Sequence, residues 1–199
     1  DHLRKVVEWA RDRGVLVVSD ECYIELGWTD EEPVSILHPS VCGASHEGLL
    51  AVHSLSKRSN LAGYRFGFVT GDAGVIASLL EVRKHSGFMV PMPVQAAAAV
   101  AYKDDSHVRE QKELYRARRD ELSAALLGAR FRIDESAAGL YLWATRGEPC
   151  MDTVEWLAAR GILVAPGDFY GPSGAQHVRV ALTATDERIH TAASRLLAQ

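Results

Sequence analysis

The stretch that decides the fold is LLAVHSLSKRSNLAGYRFGFVTG, residues 49 to 71. It opens with an apolar run, Leu49 to Val52, whose length and apolarity predict a buried parallel strand. Ligands in open α/β sheets bind just beyond the carboxyl ends of such strands. Because the run ends at Ser54, the pattern places Lys57 at a ligand-binding edge of a sheet.

Lys57 is the candidate reactive group of this stretch. A lysine amine that attacks a carbonyl must lose its proton near neutral pH, and partial desolvation and cationic neighbours favour that loss. We expect Arg58 and Arg65 to be those neighbours. The hydroxyls of Ser54 and Ser56, with the guanidinium of Arg65, suit a phosphate dianion. For a lysine taken by itself, a solvated loop is the commoner alternative.

A second stretch, VLVVSDECY at residues 15 to 23, also predicts a buried strand, and it ends in Asp20 and Glu21, followed by Tyr23. A carboxylate beside the pyridine nitrogen of pyridoxal phosphate keeps that nitrogen protonated, which Asp20 would do. Tyr23 would hydrogen-bond the ring hydroxyl. Alone, the acidic pair fits a metal ligand or a helix cap equally well. In combination with Lys57 it indicates a pyridoxal-phosphate site.

At these residues the sequence resembles the class I and II aminotransferases, which are fold-type I pyridoxal-phosphate enzymes, over essentially its whole length. The resemblance implies an α/β fold. Residues 1–105 would be the C-terminal part of the large doubly wound sheet domain that binds the cofactor. Residues 106–199 would be a connecting helix and a small C-terminal α/β domain. The implied roles are the catalytic Schiff-base lysine for Lys57, the pyridine-nitrogen partner for Asp20, the ring-hydroxyl partner for Tyr23, and phosphate contacts for Ser54, Ser56 and Arg65.

Three segments of the sequence resemble one subgroup of this family more closely than the general motif requires. SDECYIELGW, HSLSKRSNLAGYRFGF and GLYLWATRGE are similar to the succinyldiaminopimelate aminotransferases of actinobacterial type. This implies ping-pong transamination between N-succinyl-L,L-2,6-diaminopimelate and 2-oxoglutarate in lysine biosynthesis, by a homodimer. An aspartate or N-acetylornithine type of aminotransferase is the second candidate.

Arg179 is the candidate substrate-binding residue. In HVRVALT, residues 177 to 183, strand alternation predicts that Val178, Val180 and Leu182 face one way and Arg179 the other. By its place in the family pattern, Arg179 resembles the arginine that binds the substrate α-carboxylate through a bidentate fork. A surface arginine on a half-exposed strand is the alternative. Phe169 and Tyr170, in the preceding loop, either border the site or merely pack.

Composition limits the partners. The 199 residues are 47% hydrophobic, with a formal net charge of -4 and no long run of like charge, which excludes a basic footprint for nucleic acid or an anionic membrane. Cys22, Cys42 and Cys150 lack the spacing of a disulfide framework or a zinc site, so we expect no metal and a reducing cytoplasm. No stretch approaches the ~20 apolar residues of a membrane span. Amino acids and 2-oxo acids are the expected partners.

The remaining pattern predicts mainly helices in the first part of the chain. Asp1 and Asp72 are expected to cap helices that stop near Gly14 and Gly87, and residues 66 to 70 to form a strand. Residues 27 to 48 are expected to be mainly loop. Two prolines, Pro91 and Pro93, open an alanine-rich helix, and residues 106 to 128 predict one long charged helix. From Phe131 onward we expect short strands and two helices.

Two further hypotheses stay open. Members of the family are considerably longer, and the part before Asp1 normally supplies a glycine-containing phosphate loop, an aromatic that stacks on the pyridine ring and an asparagine. The chain could therefore be an inactive or cofactor-free fragment that serves as a dimerisation or regulatory module. A β-lyase or decarboxylase on the same scaffold is the other alternative, since fold does not fix the reaction.

Overall fold

The computed structural model describes residues 1–87 and 89–198, and the chain separates into two compact units, Asp1–Arg109 and Glu110–Gln199. We call them unit 1 and unit 2. The division falls within one long helix, Ser106–Gly128, which matches the predicted range of 106 to 128.

Unit 1 combines helices with a three-stranded sheet. Its elements, in chain order, are α1 (His2–Arg11), β1 (Val17–Asp20), α2 (Pro39–Cys42), β2 (Leu49–Ser54), α3 (Leu55–Arg58), a short 3-10 turn (Ala62–Tyr64), β3 (Gly67–Gly71), α4 (Ala73–Ser86), α5 (Met92–Ala101) and the start of α6 (Ser106–Gly128). In the span from 27 to 48, predicted to be mainly loop, α2 is the one helix.

The sheet of unit 1 has the order β1-β2-β3. β1 and β2 are parallel, with Val17 opposite Leu49 and Asp20 opposite Val52, whereas β3 is antiparallel to β2. The sheet is therefore mixed. Leu49 and Ala51 of β2 are buried in a core with Val7 of α1, Ile36 and Cys42, which confirms the prediction of a buried strand for this segment.

The prediction of a buried strand at residues 15 to 23 is wrong in part. The strand itself is only Val17–Asp20, and Val15, Leu16 and Val18 are 45%, 46% and 55% exposed. The physical reason is that β1 lies at the edge of the sheet, hydrogen-bonded on one side only. Val17 packs on the core, while its neighbours in sequence face outward because side chains alternate along a strand.

Helix α4 begins as expected. The carboxylate of Asp72 accepts hydrogen bonds from the backbone N–H groups of Gly74 and Val75, at 2.8 and 3.1 Å, and Gly87 ends the helix. Its apolar face is only partly covered, since Val75 and Ile76 are half-buried and Leu79 is exposed. α5 follows after Pro91, as the two prolines predicted.

Unit 2 contains the rest of α6 and an antiparallel sheet. Its other elements are β4 (Arg132–Asp134), β5 (Tyr141–Thr145), α7 (Cys150–Ala158), β6 (Ala165–Pro166), two short 3-10 turns (Gly167–Tyr170 and Pro172–Gly174), β7 (Val178–Ala181) and α8 (Asp186–Leu197). The strand order is β4-β5-β7-β6. Short strands with two helices were expected after Phe131, so this prediction is confirmed.

The core of unit 2 lies where the sheet meets its helices. Leu142 of β5, Leu157 of α7 and Val178 of β7 are fully buried, as are Leu126 of α6 and Leu182. Burial of these side chains is the main force that can hold so small a sheet together. Within the described part of the chain, no helix is long and apolar enough to cross a membrane.

We predict that Leu142→Ala destabilises unit 2 by about 2 to 5 kcal/mol, because it leaves a cavity between sheet and helices. The measurement is urea unfolding followed by far-ultraviolet circular dichroism. Leu163→Ala is the matched control. Leu163 is 94% exposed whereas Leu142 is 0% exposed, so the same truncation there should change stability by less than about 0.5 kcal/mol. Equal effects at both positions would contradict the assignment of the core.

Candidate functional site

The parallel pair β1 and β2 brings the two predicted strand ends to one edge of the sheet. Asp20 is the last residue of β1, and β2 ends at Ser54 and leads directly into α3, which carries Lys57. Parallel strands present their carboxyl ends on the same side. Asp20 and Lys57 therefore follow neighbouring strands at the edge where a ligand would bind.

Lys57 and Tyr23 lie against each other. The ammonium nitrogen of Lys57 is 5.7 Å from the centroid of the Tyr23 ring, within the range of a cation–π contact. Tyr23 belongs to two consecutive turns after β1, in which Ile24 N–H donates to the carbonyl of Glu21 and Leu26 N–H donates to the carbonyl of Tyr23. These turns carry the tyrosine from the end of β1 to the side of α3.

Asp20 is held as an anion. The thiol of Cys22 and then its backbone N–H, 3.1 Å from Asp20 Oδ1, donate hydrogen bonds that lower the pKa of the carboxyl. Burial, assisted by the bond to Asp20, raises the pKa of Cys22 to about 11, although the nearby charge of Lys57 opposes this rise. The thiol therefore stays protonated and keeps donating. Cys22 was considered above only for its cysteine spacing, but a donor two residues after an aspartate is the signal of an Asx turn.

Glu21 has a different environment from Asp20. Its side chain is buried at 7% exposure, Oε1 accepts the backbone N–H of Ile36 at 2.7 Å, and Oε2 is 3.6 Å from His53 Nε2. The acidic pair is thus split, with one carboxylate at the sheet edge and one in the interior. Residues 1–87 and 89–198 contain no cluster of three or more groups that could hold a metal ion.

Ser54 and Ser56 form a local hydrogen-bonded pair. Ser54 Oγ accepts the backbone N–H of Ser56 at 3.1 Å and so caps α3. The two hydroxyl oxygens are 2.9 Å apart, and Ser54 Oγ is also 3.0 Å from the carbonyl of Phe66. Both predicted phosphate hydroxyls therefore lie together at the start of α3, with their hydrogen bonds already engaged locally.

Arg65 lies one residue before the carbonyl that Ser54 contacts. Its backbone is left-handed, with φ of 53°, as is that of Asn60, with φ of 52°. Such conformations are uncommon for residues other than glycine, cost about 1 to 3 kcal/mol each, and cluster at functional sites. The side chain of Arg65 is exposed and donates to the carbonyl of Ala62 at 2.9 Å. Arg58, predicted as a cationic neighbour of Lys57, is paired with the carboxylates of Glu25 and Asp105.

Unit 2 holds Arg179 on β7 between two aromatic rings. The alternation is as predicted, since Val178, Val180 and Leu182 are buried and Arg179 is only half-buried. The guanidinium carbon of Arg179 is 4.2 Å from the centroid of the Tyr141 ring and 5.3 Å from that of Tyr170. Its Nε is buried with no hydrogen-bond partner among the described residues. Of the two loop aromatics, Tyr170 contacts Arg179, whereas Phe169 is largely exposed.

Two further rings, those of Trp143 and His177, extend the aromatic cluster next to Tyr170. Trp143 contacts Tyr170 edge-on and stacks on His177, with centroids 5.1 Å apart. His177 Nε2 is 2.9 Å from a carboxylate oxygen of Asp134, whose pKa is lowered by hydrogen bonds first from Arg132 and then from His177. Trp143 and His177 were not among the residues predicted from the sequence. Their period-two spacing from Tyr141 and Arg179 is a signal that they share a face, but only the pairing of β5 with β7 shows which rings meet.

The donor set of unit 1 fits pyridoxal phosphate. The amine suits the carbonyl of that cofactor, and the ionised carboxylate suits its pyridine nitrogen. The phenol suits the ring hydroxyl, and the pair of hydroxyls with the guanidinium suits the phosphate. An unpartnered guanidinium nitrogen in unit 2 suits a carboxylate ligand.

Comparison with known proteins agrees with this chemistry. The family described as aminotransferase class I and II matches residues 1–196. A probable aminotransferase from Mycobacterium tuberculosis is 71% identical over 196 residues, which cover 98% of this chain and 47% of that protein. The 4-dedimethylamino-4-oxo-anhydrotetracycline transaminase OxyQ from Streptomyces rimosus is 62% identical over 194 residues, covering 98% of this chain and 54% of the relative.

The solved structures agree in fold. A probable N-succinyldiaminopimelate aminotransferase from Thermus thermophilus superposes with a TM-score of 0.85 at 29% identity, over 98% of this chain and 53% of that one. An aminotransferase from Neisseria meningitidis gives a TM-score of 0.85 at 30% identity, over 98% and 51%. The chain thus spans about half the length of its relatives. It has the fold-type I architecture of pyridoxal-phosphate enzymes and belongs to the class I and II aminotransferases, a family of transferases.

Proposed function

We propose that this chain supplies the reactive lysine and part of the cofactor site of a pyridoxal-phosphate-dependent aminotransferase. The observation that supports this most directly is the edge of the parallel pair, where Lys57 contacts Tyr23 and the ionised Asp20 ends the neighbouring strand. Family membership supports the same conclusion.

The cofactor would be held by residues of unit 1. Lys57 would bind its carbonyl, Asp20 its pyridine nitrogen and Tyr23 its ring hydroxyl, while Ser54, Ser56 and Arg65 would lie at the phosphate. To bind phosphate, the serine hydroxyls must exchange their local hydrogen bonds for bonds to the anion. When bound, pyridoxal phosphate supplies an electron sink that stabilises the negative charge left when a proton leaves the substrate α-carbon.

Lys57 has two roles in this proposal. It binds the cofactor until an amino acid displaces it, and its freed amine then moves the α-proton as general base and acid. Asp20 supports both steps, because a carboxylate with a lowered pKa remains charged at neutral pH and favours a protonated ring nitrogen. Water would release the first substrate as an oxo acid while its amino group stays with the bound cofactor, and a second oxo acid would then take up that amino group with release of water, so the kinetics should be ping-pong.

Arg179 is the proposed ligand of the substrate α-carboxylate. Its guanidinium retains an unpartnered, buried Nε, and the rings of Tyr141 and Tyr170 restrict its orientation. A restricted planar fork loses little entropy when it binds a planar carboxylate.

For the substrate we propose N-succinyl-L,L-2,6-diaminopimelate with 2-oxoglutarate, in lysine biosynthesis. Support comes from the three sequence segments quoted above, from the Thermus thermophilus neighbour, and from LL-diaminopimelate aminotransferases such as that of Oleidesulfovibrio alaskensis, which is 35% identical. The 62% identity to OxyQ favours a second candidate, amination of an oxo group on a polycyclic ketone. Steady-state assays with each oxo substrate and glutamate separate the two.

Assembly and location are also proposals. Homodimers are typical of the family, and analytical ultracentrifugation tests this for the present chain. A cytoplasmic location agrees with three free cysteines, Cys22, Cys42 and Cys150. If this chain binds no cofactor but a longer form with residues before Asp1 does, the fragment hypothesis is correct. Product analysis separates transamination from β-elimination and decarboxylation.

We predict that Lys57→Ala abolishes covalent attachment of the cofactor, because no other amine is expected at this edge of the sheet. The wild-type protein, given pyridoxal phosphate and then borohydride, should carry the reduced adduct on the peptide that contains Lys57, as read by mass spectrometry. Lys103→Ala, at an exposed lysine, is the control and should behave as wild type. An adduct that persists in Lys57→Ala would contradict the proposed role of Lys57.

Asp20→Asn is predicted to lower the rate of transamination by about 100-fold while cofactor attachment to Lys57 persists, since a neutral amide cannot stabilise a protonated ring nitrogen. The measurement is the single-turnover rate with an amino acid donor. Asp30→Asn, in an exposed loop, is the control. An unchanged rate in Asp20→Asn would assign the pyridine nitrogen another partner.

We predict that Arg179→Gln raises KM for amino acid substrates by about 30-fold or more, because one partner of a charged hydrogen-bonded pair is lost. Competition by amines that lack a carboxylate should not change. The control is Arg188→Gln, at an exposed arginine of α8. A change in kcat with KM unaffected would show that Arg179 does not bind the carboxylate.

A further inference from the structure

Arg58, the residue after Lys57, is a buried arginine in which each of the three guanidinium nitrogens donates a hydrogen bond. The residue is 8% exposed. Its Nε donates to Glu25 Oε1 at 3.2 Å, its Nη1 donates to the carbonyl of Ala101 at 3.0 Å, and its Nη2 donates to Asp105 Oδ1. The guanidinium carbon also lies 5.0 Å from the centroid of the Tyr102 ring.

The three acceptors of Arg58 come from different parts of unit 1. Glu25 lies in the turn closed by the bond from Leu26 N–H to the carbonyl of Tyr23. Ala101 is the last residue of α5, where a cation is favourable against the unpaired carbonyl groups of a helix end. Asp105 directly precedes α6. One side chain therefore joins α3 to the Tyr23 turn and to the connection between α5 and α6.

The next residue is tied to the same connection. Ser59 Oγ is 2.9 Å from His107 Nε2, and His107 Nδ1 is 3.0 Å from Asp104 Oδ2. α3 is a single turn of four residues, and an isolated helix of that length is unstable in water. Its geometry therefore depends on such external bonds. Arg58 and Ser59 supply them immediately after Lys57.

Two links run in parallel between α3 and the Tyr23 turn. One is the contact between the ammonium of Lys57 and the ring of Tyr23, and the other is the ion pair between Arg58 and Glu25. The carboxylates that pair with Arg58 are 42% exposed for Glu25 and 68% exposed for Asp105, so these ion pairs add little to stability. The arrangement therefore suits a role in positioning better than a role in stability.

We propose that Arg58 is a positioning residue that fixes Lys57 relative to the segment that carries Asp20 and Tyr23. The proposal rests on the proposed function, because it assigns Arg58 a role through Lys57. Displacing a reactive group by about 1 Å costs about 100-fold in rate. Loss of the Arg58 guanidinium should therefore slow the chemistry of Lys57 far more than it affects folding.

The test compares Arg58→Met and Arg58→Lys with the wild-type chain in two measurements. The first needs no cofactor. Competitive acetylation across a pH series, read by mass spectrometry, gives the reactivity profile of Lys57 relative to the exposed Lys5 and Lys103. The second is the rate at which pyridoxal phosphate becomes borohydride-trappable on Lys57. Arg118→Met is the matched control, because Arg118 is a largely covered arginine of unit 2 that pairs with Asp186.

Arg58→Met should shift the acetylation profile of Lys57 and slow trapping by about 100-fold. Arg58→Lys should recover only part of the rate, since one ammonium cannot serve three separated acceptors. Arg118→Met should leave both measurements at wild-type values. If Arg58→Met lowers thermal stability but leaves the profile and the trapping rate unchanged, Arg58 is only structural and the proposal is wrong.

Glu25→Ala covers the case in which Arg58→Met fails to fold. It removes the acceptor of Arg58 Nε and so only the link to the Tyr23 turn, at a half-exposed carboxylate, and should slow trapping by about 10-fold with the fold retained. Trapping in Glu25→Ala at the wild-type rate would overturn the proposal. If neither the wild-type chain nor a longer form with residues before Asp1 traps cofactor, the proposed function fails instead, and the acetylation profiles alone decide the role of Arg58.

Discussion

The parallel pairing of β1 with β2 is the constraint on which the candidate site depends. Its register sets Asp20 opposite Val52, two residues before β2 ends at Ser54. A slip of one residue would turn every side chain of β1 to the opposite face. It would also move Asp20 relative to α3. The burial of Leu49 and Ala51 under α1 resists such a slip, so the packing of the core maintains the geometry of the site.

Local hydrogen bonds then set the chemistry at that edge. The Asx turn between Asp20 and Cys22 lowers the pKa of the carboxyl, and the raised pKa of Cys22 keeps the thiol a donor. Glu21 is adjacent in sequence but accepts the backbone N–H of Ile36 in the interior. Because side chains alternate at the end of a strand, one carboxylate of the pair is free to meet a ligand while the other anchors a loop.

The guanidinium groups of Arg58 in unit 1 and Arg179 in unit 2 have different surroundings. In unit 1 each of the three guanidinium nitrogens of Arg58 donates to an acceptor, which suits a structural link. In unit 2 the guanidinium of Arg179 is flanked by aromatic rings and keeps a buried nitrogen without a partner in the described chain, which suits a ligand. The two arginines, one buried and one half-buried, thus have different surroundings, and these suit different roles.

The sequence by itself determined the α/β class, the strand that leads to Lys57, the limits of α6 and the alternation around Arg179, since these follow from local periodicity and from short-range caps such as Asp72. It overestimated the burial of residues 15 to 18, because strand hydrophobicity does not tell an edge strand from a central one. Only the tertiary structure decided that Arg58 binds Glu25 and Asp105, and that Trp143 contacts both Tyr170 and His177. Those contacts join residues 33 to 47 positions apart in unit 1, or residues far apart in sequence in unit 2, and no local pattern encodes such pairings.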